Sequence, residues 1–195
     1  MNSQSYKTLE SSGFSLIEVL VTMLILMGGL LGLAGLQGVA LTAQLEAFQR
    51  SQALVLVQDM ADRINANRTT AATAGYVTTA LTPAALGTGN LTADCAALAV
   101  GQARDSCEWS NALLGAAETT GGGTINVGAM IGARGCITQL VAAAPPVPAQ
   151  YLIEVAWQGF NPTFAPSGTC GAGAYGAANL RRVVSLTVTI GNLGI

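Results

Sequence analysis

Histidine is absent from this 195-residue chain, and Asp, Glu, Lys and Arg together make up only 9% of it. Without imidazole, the commonest general base and the usual nucleophile–histidine triads cannot be assembled. Aromatic residues are scarce at 5%, and no basic block occurs anywhere; eight Lys and Arg against ten Asp and Glu leave a net charge of -2. Strong nucleic-acid binding needs a clustered basic face, so none is expected here, although weak or local DNA contact stays open. No Cys-x-x-Cys pair exists: Cys95, Cys107, Cys136 and Cys170 are spaced by 12, 29 and 34 residues, which speaks for disulfides rather than metal. Gly121-Gly122-Gly123 lacks the Lys and Ser/Thr of a phosphate-binding loop and reads as a turn. Asp94, Asp105 and Glu108 lie close in sequence, but as capping, solvated or Arg104-paired acids. No catalytic constellation emerges, so neither an enzyme nor a cofactor is expected.

What the chain does have is one long apolar run. From Val19 to Leu36 there are 18 residues, of which only Thr22 is polar. As a helix they span ~27 Å, close to a bilayer's hydrocarbon thickness. Just ahead of the run stands Glu18, five residues past Gly13. A charge near bilayer depth costs at least ~2.5–3.5 kcal/mol and calls for a partner. Lys7 precedes the run and Arg50 lies far beyond it. The partner is therefore expected from another molecule, or from an amine created by cleavage. Residues 1–12 are polar and read as a leader held on the cytoplasmic side, with Lys7 and the amino terminus as its positive charges. An ordinary secretory signal would place small residues at a cut site after the apolar run. Gly28, Gly29, Gly32, Gly35 and Gly38 soften the run. They provide either a small face for close helix packing or a zone that unwinds when the helix leaves lipid.

Beyond the run, Val39 to Arg68 contains neither glycine nor proline. Ala53, Val57, Met60 and Ile64 recur at helical spacing, and Glu46/Arg50 and Asp59/Arg63 form i,i+4 pairs. The expectation is one helix from about Ser15 to Asn67, ~80 Å long. Residues 69–93 read as a connection with at most one short element, and a short helix starts at Asp94 as N-cap. Strands follow over Ala133–Val141, around Tyr151–Trp157 with its period-2 alternation, and over Arg181–Ile190. The fold class is α+β: a long N-terminal helix, membrane-spanning in its first half and amphipathic in its second, packed on a small antiparallel head. Disulfides in an oxidising compartment suit the four cysteines. A Cys95–Cys107 bridge would close a small loop, worth ~2–3 kcal/mol in the chain-entropy model. A Cys136–Cys170 bridge would tie the Gly/Pro/Ser-rich excursion from Gly159 to Ala178 to the first strand. Three pairings remain open.

The string Gly13-Phe14-Ser15-Leu16-Ile17-Glu18 resembles the prepilin signature of type IV pilins and their relatives. The resemblance implies cleavage between Gly13 and Phe14 by a prepilin peptidase, N-methylation of Phe14, and an assembly role for Glu18. Residues 58–67, Gln-Asp-Met-Ala-Asp-Arg-Ile-Asn-Ala-Asn, resemble minor pilins of the PilV kind (type IV pilus modification proteins). Taken together, these imply a cleaved leader over 1–13, a transmembrane or filament-core helix over 14–38, an amphipathic helix over 39–68, and a periplasmic head over 69–195. The implied function is that of a minor pilin in type IV pilus assembly and priming; the alternative is a minor pseudopilin of a type II secretion system. Implied partners are the prepilin peptidase, other minor pilins, the major pilin, the inner membrane and a tip adhesin. The implied location is the inner membrane with the head in the periplasm, and then the pilus.

Overall fold

A computed structural model describes residues 13–78, 85–89, 94–116, 119–120, 125–126, 130–144 and 146–191. The leader segment 1–12 and Gly121–Gly123 lie outside the described residues, as do parts of the connection over 69–93. The chain divides into two compact units, Met1–Ala43 and Gln44–Ile195.

The first unit consists, where described, of the start of helix α1 (Leu16–Ala66). Every residue from Gly13 to Leu41 is exposed. Thr22, the one polar side chain of the apolar run, bonds back to the Val19 carbonyl at 2.9 Å, so nothing in the run is left seeking water. Among the described residues α1 is the one helix long and apolar enough to cross a membrane, by length and composition. Its bounds fall within one residue of the expected Ser15 to Asn67.

The second unit opens with the remainder of α1. Here one face turns inward: Gln49, Ala53, Val57, Met60, Ala61 and Ile64 are buried. Burying side chains the size of Met60 or Ile64 contributes ~1.5–3 kcal/mol each. Helix α1 stops at Asn67, and a short helix, α2 (Arg68–Ala72), follows. The stretch expected to form one helix from Asp94 is split. Asp94 accepts from the Ala97 N–H at 3.1 Å and caps a 3₁₀ turn, Cys95–Ala97, whereas α3 (Gln102–Leu113) starts separately. Gly101, at φ +137°, makes the break, since that backbone is costly for any residue with a Cβ.

Two short strands, β1 (Thr119–Thr120) and β2 (Ile125–Asn126), pair antiparallel. The main sheet is an antiparallel meander in the order β3 (Ile131–Val141), β4 (Ala149–Gln158), β5 (Arg181–Ile190). Central β4 is covered on both faces. Tyr151, Ile153, Val155 and Trp157 join the core built with α1, while Ala156 joins a smaller cluster with Cys136, Cys170 and Tyr175. Helix α3 leans on β3 through Trp109, which is fully buried and donates its indole N–H to the Leu56 carbonyl of α1 at 2.8 Å. The indole occupies the space above Gly135; a Cβ there would lie 2.3 Å from Trp109 Cζ3. Only glycine fits under that ring.

Of the two expected i,i+4 pairs on α1, Asp59–Arg63 forms at 3.0 Å. Glu46 does not pair with Arg50. Its carboxylate meets Arg182 of β5 at 3.2 Å instead, because that guanidinium and two backbone N–H groups converge on it.

Candidate functional site: the exposed helix start and the braced head

Gly13 and Phe14 precede α1 in irregular backbone, and Phe14 is 85% exposed. Nothing lies within 4 Å of where a Gly13 side chain would project. Glu18 sits exposed in the first turn, where its backbone N–H bonds the Ser15 carbonyl at 3.0 Å. A carboxylate at that end is favoured by the helix dipole. One turn of helix thus joins an accessible Gly-Phe bond and a carboxylate that no ion pair engages among the described residues. At 100° per residue Gly28, Gly32 and Gly35 fall within an arc of ~60°, with Gly38 ~60° further round. A Cβ at any of them, or at Gly29, would meet nothing within 4 Å, so this small face is free of neighbours in the chain.

In the head, three groups of polar side chains act as braces. The first joins α1 to α3. Arg63 reaches Asp59 (3.0 Å), Asp105 (3.4 Å) and Glu108 (2.7 Å), and Arg104 holds the other oxygen of Glu108 at 2.8 Å. Tyr76 and Asn67 donate to the second oxygen of Asp105 at 2.5 and 2.8 Å. The hydrogen bond from Arg104, and then that from Arg63, pulls the Glu108 carboxyl below its ordinary range. Burial works against the Arg63 charge, yet Glu108 and Asp59 outweigh it and hold the guanidinium firmly protonated. Tyr76 is pushed up, by burial first and by Asp105 second. Every acid here is committed to a cation or a donor, so the cluster fastens rather than reacts. Arg104–Glu108 and Asp59–Arg63 were legible as i,i+4 pairs; the reach of Arg63 to Asp105 and Glu108 and of Tyr76 to Asp105, more than 25 residues away, carried no local signal.

A second brace covers the outer face of the sheet. Cys136 and Cys170 are joined, with Cα atoms 5.7 Å apart. Arg181, almost fully buried, donates to the carbonyls of Cys170 (2.8 Å) and Pro166 (2.7 Å). The Tyr175 hydroxyl lies 2.9 Å from the Gly132 carbonyl and 3.0 Å from that of Ala156, and burial pushes its pKa up to about 12. Beneath them Glu154 is buried, with its carboxylate so close to Gly168 that a Cβ there would lie 2.5 Å away. Burial raises the Glu154 pKa, and the nearby Arg181 charge opposes that rise. The third brace is the Cys95–Cys107 disulfide, Cα–Cα 5.6 Å, which clips the 3₁₀ turn to α3. No group of residues that could hold a metal ion occurs among the described residues.

Residues 35–109, from the last two residues of the apolar run through most of α3, match a family model described as type IV pilin Tt1218 (Tt1218-like). Over those residues the chain is similar to that family. The match lies wholly outside Gly13–Glu18, so the helix-and-head portion carries it without help from the cleavage string. No curated protein and no solved structure matches the chain. One long apolar N-terminal helix fits membrane anchoring by length and composition.

Proposed function

We propose that this pilin-like chain is a minor pilin: a low-copy subunit that takes part in assembling and priming a type IV pilus. The observation that carries the reading is the segment from Gly13 to Leu41. It is helical from Leu16, apolar and exposed along its whole length, with a single carboxylate in its first turn. So large an apolar surface is unfavourable in water and has to be covered by lipid or by other helices. A prepilin peptidase cuts after Gly13, and Phe14 becomes the methylated N-terminus. Residues 14–38 then span the inner membrane with the head in the periplasm. In the filament the cationic amine of Phe14 and Glu18 of a neighbouring subunit pair, because a lone carboxylate in a low-dielectric core is strongly disfavoured. That pairing fixes the axial offset between subunits. Gly28, Gly32, Gly35 and Gly38 permit close approach of a neighbouring helix. Other minor pilins, the major pilin and a tip adhesin are the partners this reading assigns.

The test is Glu18→Gln, which removes the charge but keeps the shape. Membrane insertion and leader cleavage should persist, while co-purification with other pilins and surface piliation fall. Unchanged piliation at normal protein level refutes the intermolecular pair. Mass spectrometry of the membrane-bound protein that finds residues 1–13 still attached refutes the processing step.

A further inference from the structure

We propose that the outer edge of β5, from Val183 to Ile190, is a strand-docking site. Its occupant is an extended segment of another protein, apolar along one side and lined with Ser, Thr or other small residues along the other. A sheet edge presents N–H and C=O groups without ladder partners, and folded proteins blunt such edges with proline, charge, bulges or a covering segment. The two edges of this sheet are treated differently.

The β3 edge is covered by the chain itself. Leu86 and Gly135 exchange both backbone bonds, at 2.7 and 3.0 Å. Thr78 donates its N–H to the Ile137 carbonyl at 2.9 Å and accepts the Ile137 N–H on its hydroxyl at 2.9 Å. Register shifts between Ile131 and Arg134, and between Gln139 and Val141, bend that strand as well. Strand β5 has none of this. It pairs with β4 through ten consecutive residues without a bulge. Residues 183–190 contain no proline and no charged side chain. Arg181 and Arg182, just before them, are committed to the Cys170 and Pro166 carbonyls and to Glu46. In an antiparallel ladder alternate residues turn their N–H and C=O away from the partner, so about four of these eight residues face outward. Among the described residues no backbone group outside the sheet bonds to them.

The side chains say what fits. Ile153 and Val155 of β4 are fully buried, whereas their partners on β5, Leu186 and Val184, are half-buried at the rim of the same core. On the opposite side Ser185, Thr187 and Thr189 are exposed. An added strand with apolar residues beside Leu186 and Val184 seals that rim, and small or hydroxyl residues beside the Ser/Thr row match it. Main-chain bonds then supply affinity, and the alternation supplies selectivity. A second copy of this chain is the poorer occupant. Parallel pairing of β5 with itself sets the apolar row of one copy against the hydroxyl row of the other. Antiparallel pairing turns the two heads end for end, which does not suit subunits drawn from one membrane into one fibre. That last step alone rests on the proposed pilin role.

The test is hydrogen–deuterium exchange of the detergent-solubilised full chain, with and without a synthetic peptide carrying the sequence of residues 183–190. Its alternation is the one the edge calls for, and a Lys-Lys tail keeps it soluble. At about 1 mM peptide the amides of 183–190 should exchange about ten-fold more slowly, with little change elsewhere in the head. A peptide with proline at its third and fourth positions cannot continue the ladder and should give no protection. No slowing, slowing at another surface, or equal slowing by the proline peptide overturns the proposal. Full protection of 183–190 in the free chain also overturns it, because the chain then covers this edge itself. Protection that rises with protein concentration, together with a dimer in sedimentation, overturns it in favour of a second copy. None of these readouts depends on leader cleavage or piliation, so failure of the pilin role and failure of this proposal are told apart.

Discussion

Trp109 over Gly135 is the contact on which α3, β3 and α1 meet, and its worth can be worked from its parts. Trp109→Phe removes the buried indole N–H bond to Leu56, worth ~1 kcal/mol net. It also removes about three buried ring atoms, worth roughly 2 kcal/mol with their cavity term, for a total of ~2–4 kcal/mol. Gly135→Ala fails for the opposite reason. Its Cβ would sit 2.3 and 2.4 Å from Trp109 Cζ3 and Cη2 and 2.6 Å from Leu113 Cδ1, an overpacking that costs ~1–3 kcal/mol or more. The double variant is the informative one. Phenylalanine lacks the two ring atoms that clash, so the alanine gains room and the sum of the single losses should exceed the double loss by ~1–2 kcal/mol. Urea unfolding of the detergent-solubilised chain, followed by far-UV circular dichroism, gives all four stabilities. Losses that add to within ~0.5 kcal/mol refute the reasoning, because they show that the glycine is not there for the indole.

Glu154 provides a pH test. Burial raises its folded pKa above the unfolded value near 4.5, so the stability it contributes is fully present below that value and lost as pH rises through the folded one. Glu154→Gln should therefore be more stable, relative to the parent, at pH ~7 than at pH ~4; a difference in melting temperature that does not change with pH contradicts the burial argument. Replacing Cys136 and Cys170 by alanine releases a 34-residue closure worth ~4 kcal/mol in the chain-entropy model, against ~3 kcal/mol for the 12-residue closure of Cys95–Cys107. Proteolysis of the first variant should begin within residues 159–178, and non-reducing peptide maps of the parent that show four free thiols defeat both pairings.

The sequence displayed those elements whose signal is periodic or local. The stripe Ala53, Val57, Met60 and Ile64 repeats at the helical period and is buried as a set. Tyr151, Ile153, Val155 and Trp157 alternate at the strand period and enter the core together. What could not be read were contacts between residues distant in sequence. Glu46 looked like a partner for Arg50 four residues on, yet its partners are 114 to 136 residues away. Gly135 looked like any glycine in a strand until an indole from α3 was placed on it. The excursion after Gly159 offered turn residues and one cysteine, which did not announce a second layer over the sheet built on Tyr175 and Arg181. At the N-terminus the reading of Gly13–Glu18 rests on residue order alone.

The head's core draws on α1 only from Gln49 onward, and the residues from Gly13 to Leu41 are exposed throughout. Substitutions among those early residues therefore leave the folding free energy of the head nearly untouched, and substitutions in the head leave the chemistry of the early helix as it was. Selection can then act on the two parts of this protein separately: the head can change its loops and its core without altering the apolar stem, and the stem can change its surface without unfolding the head.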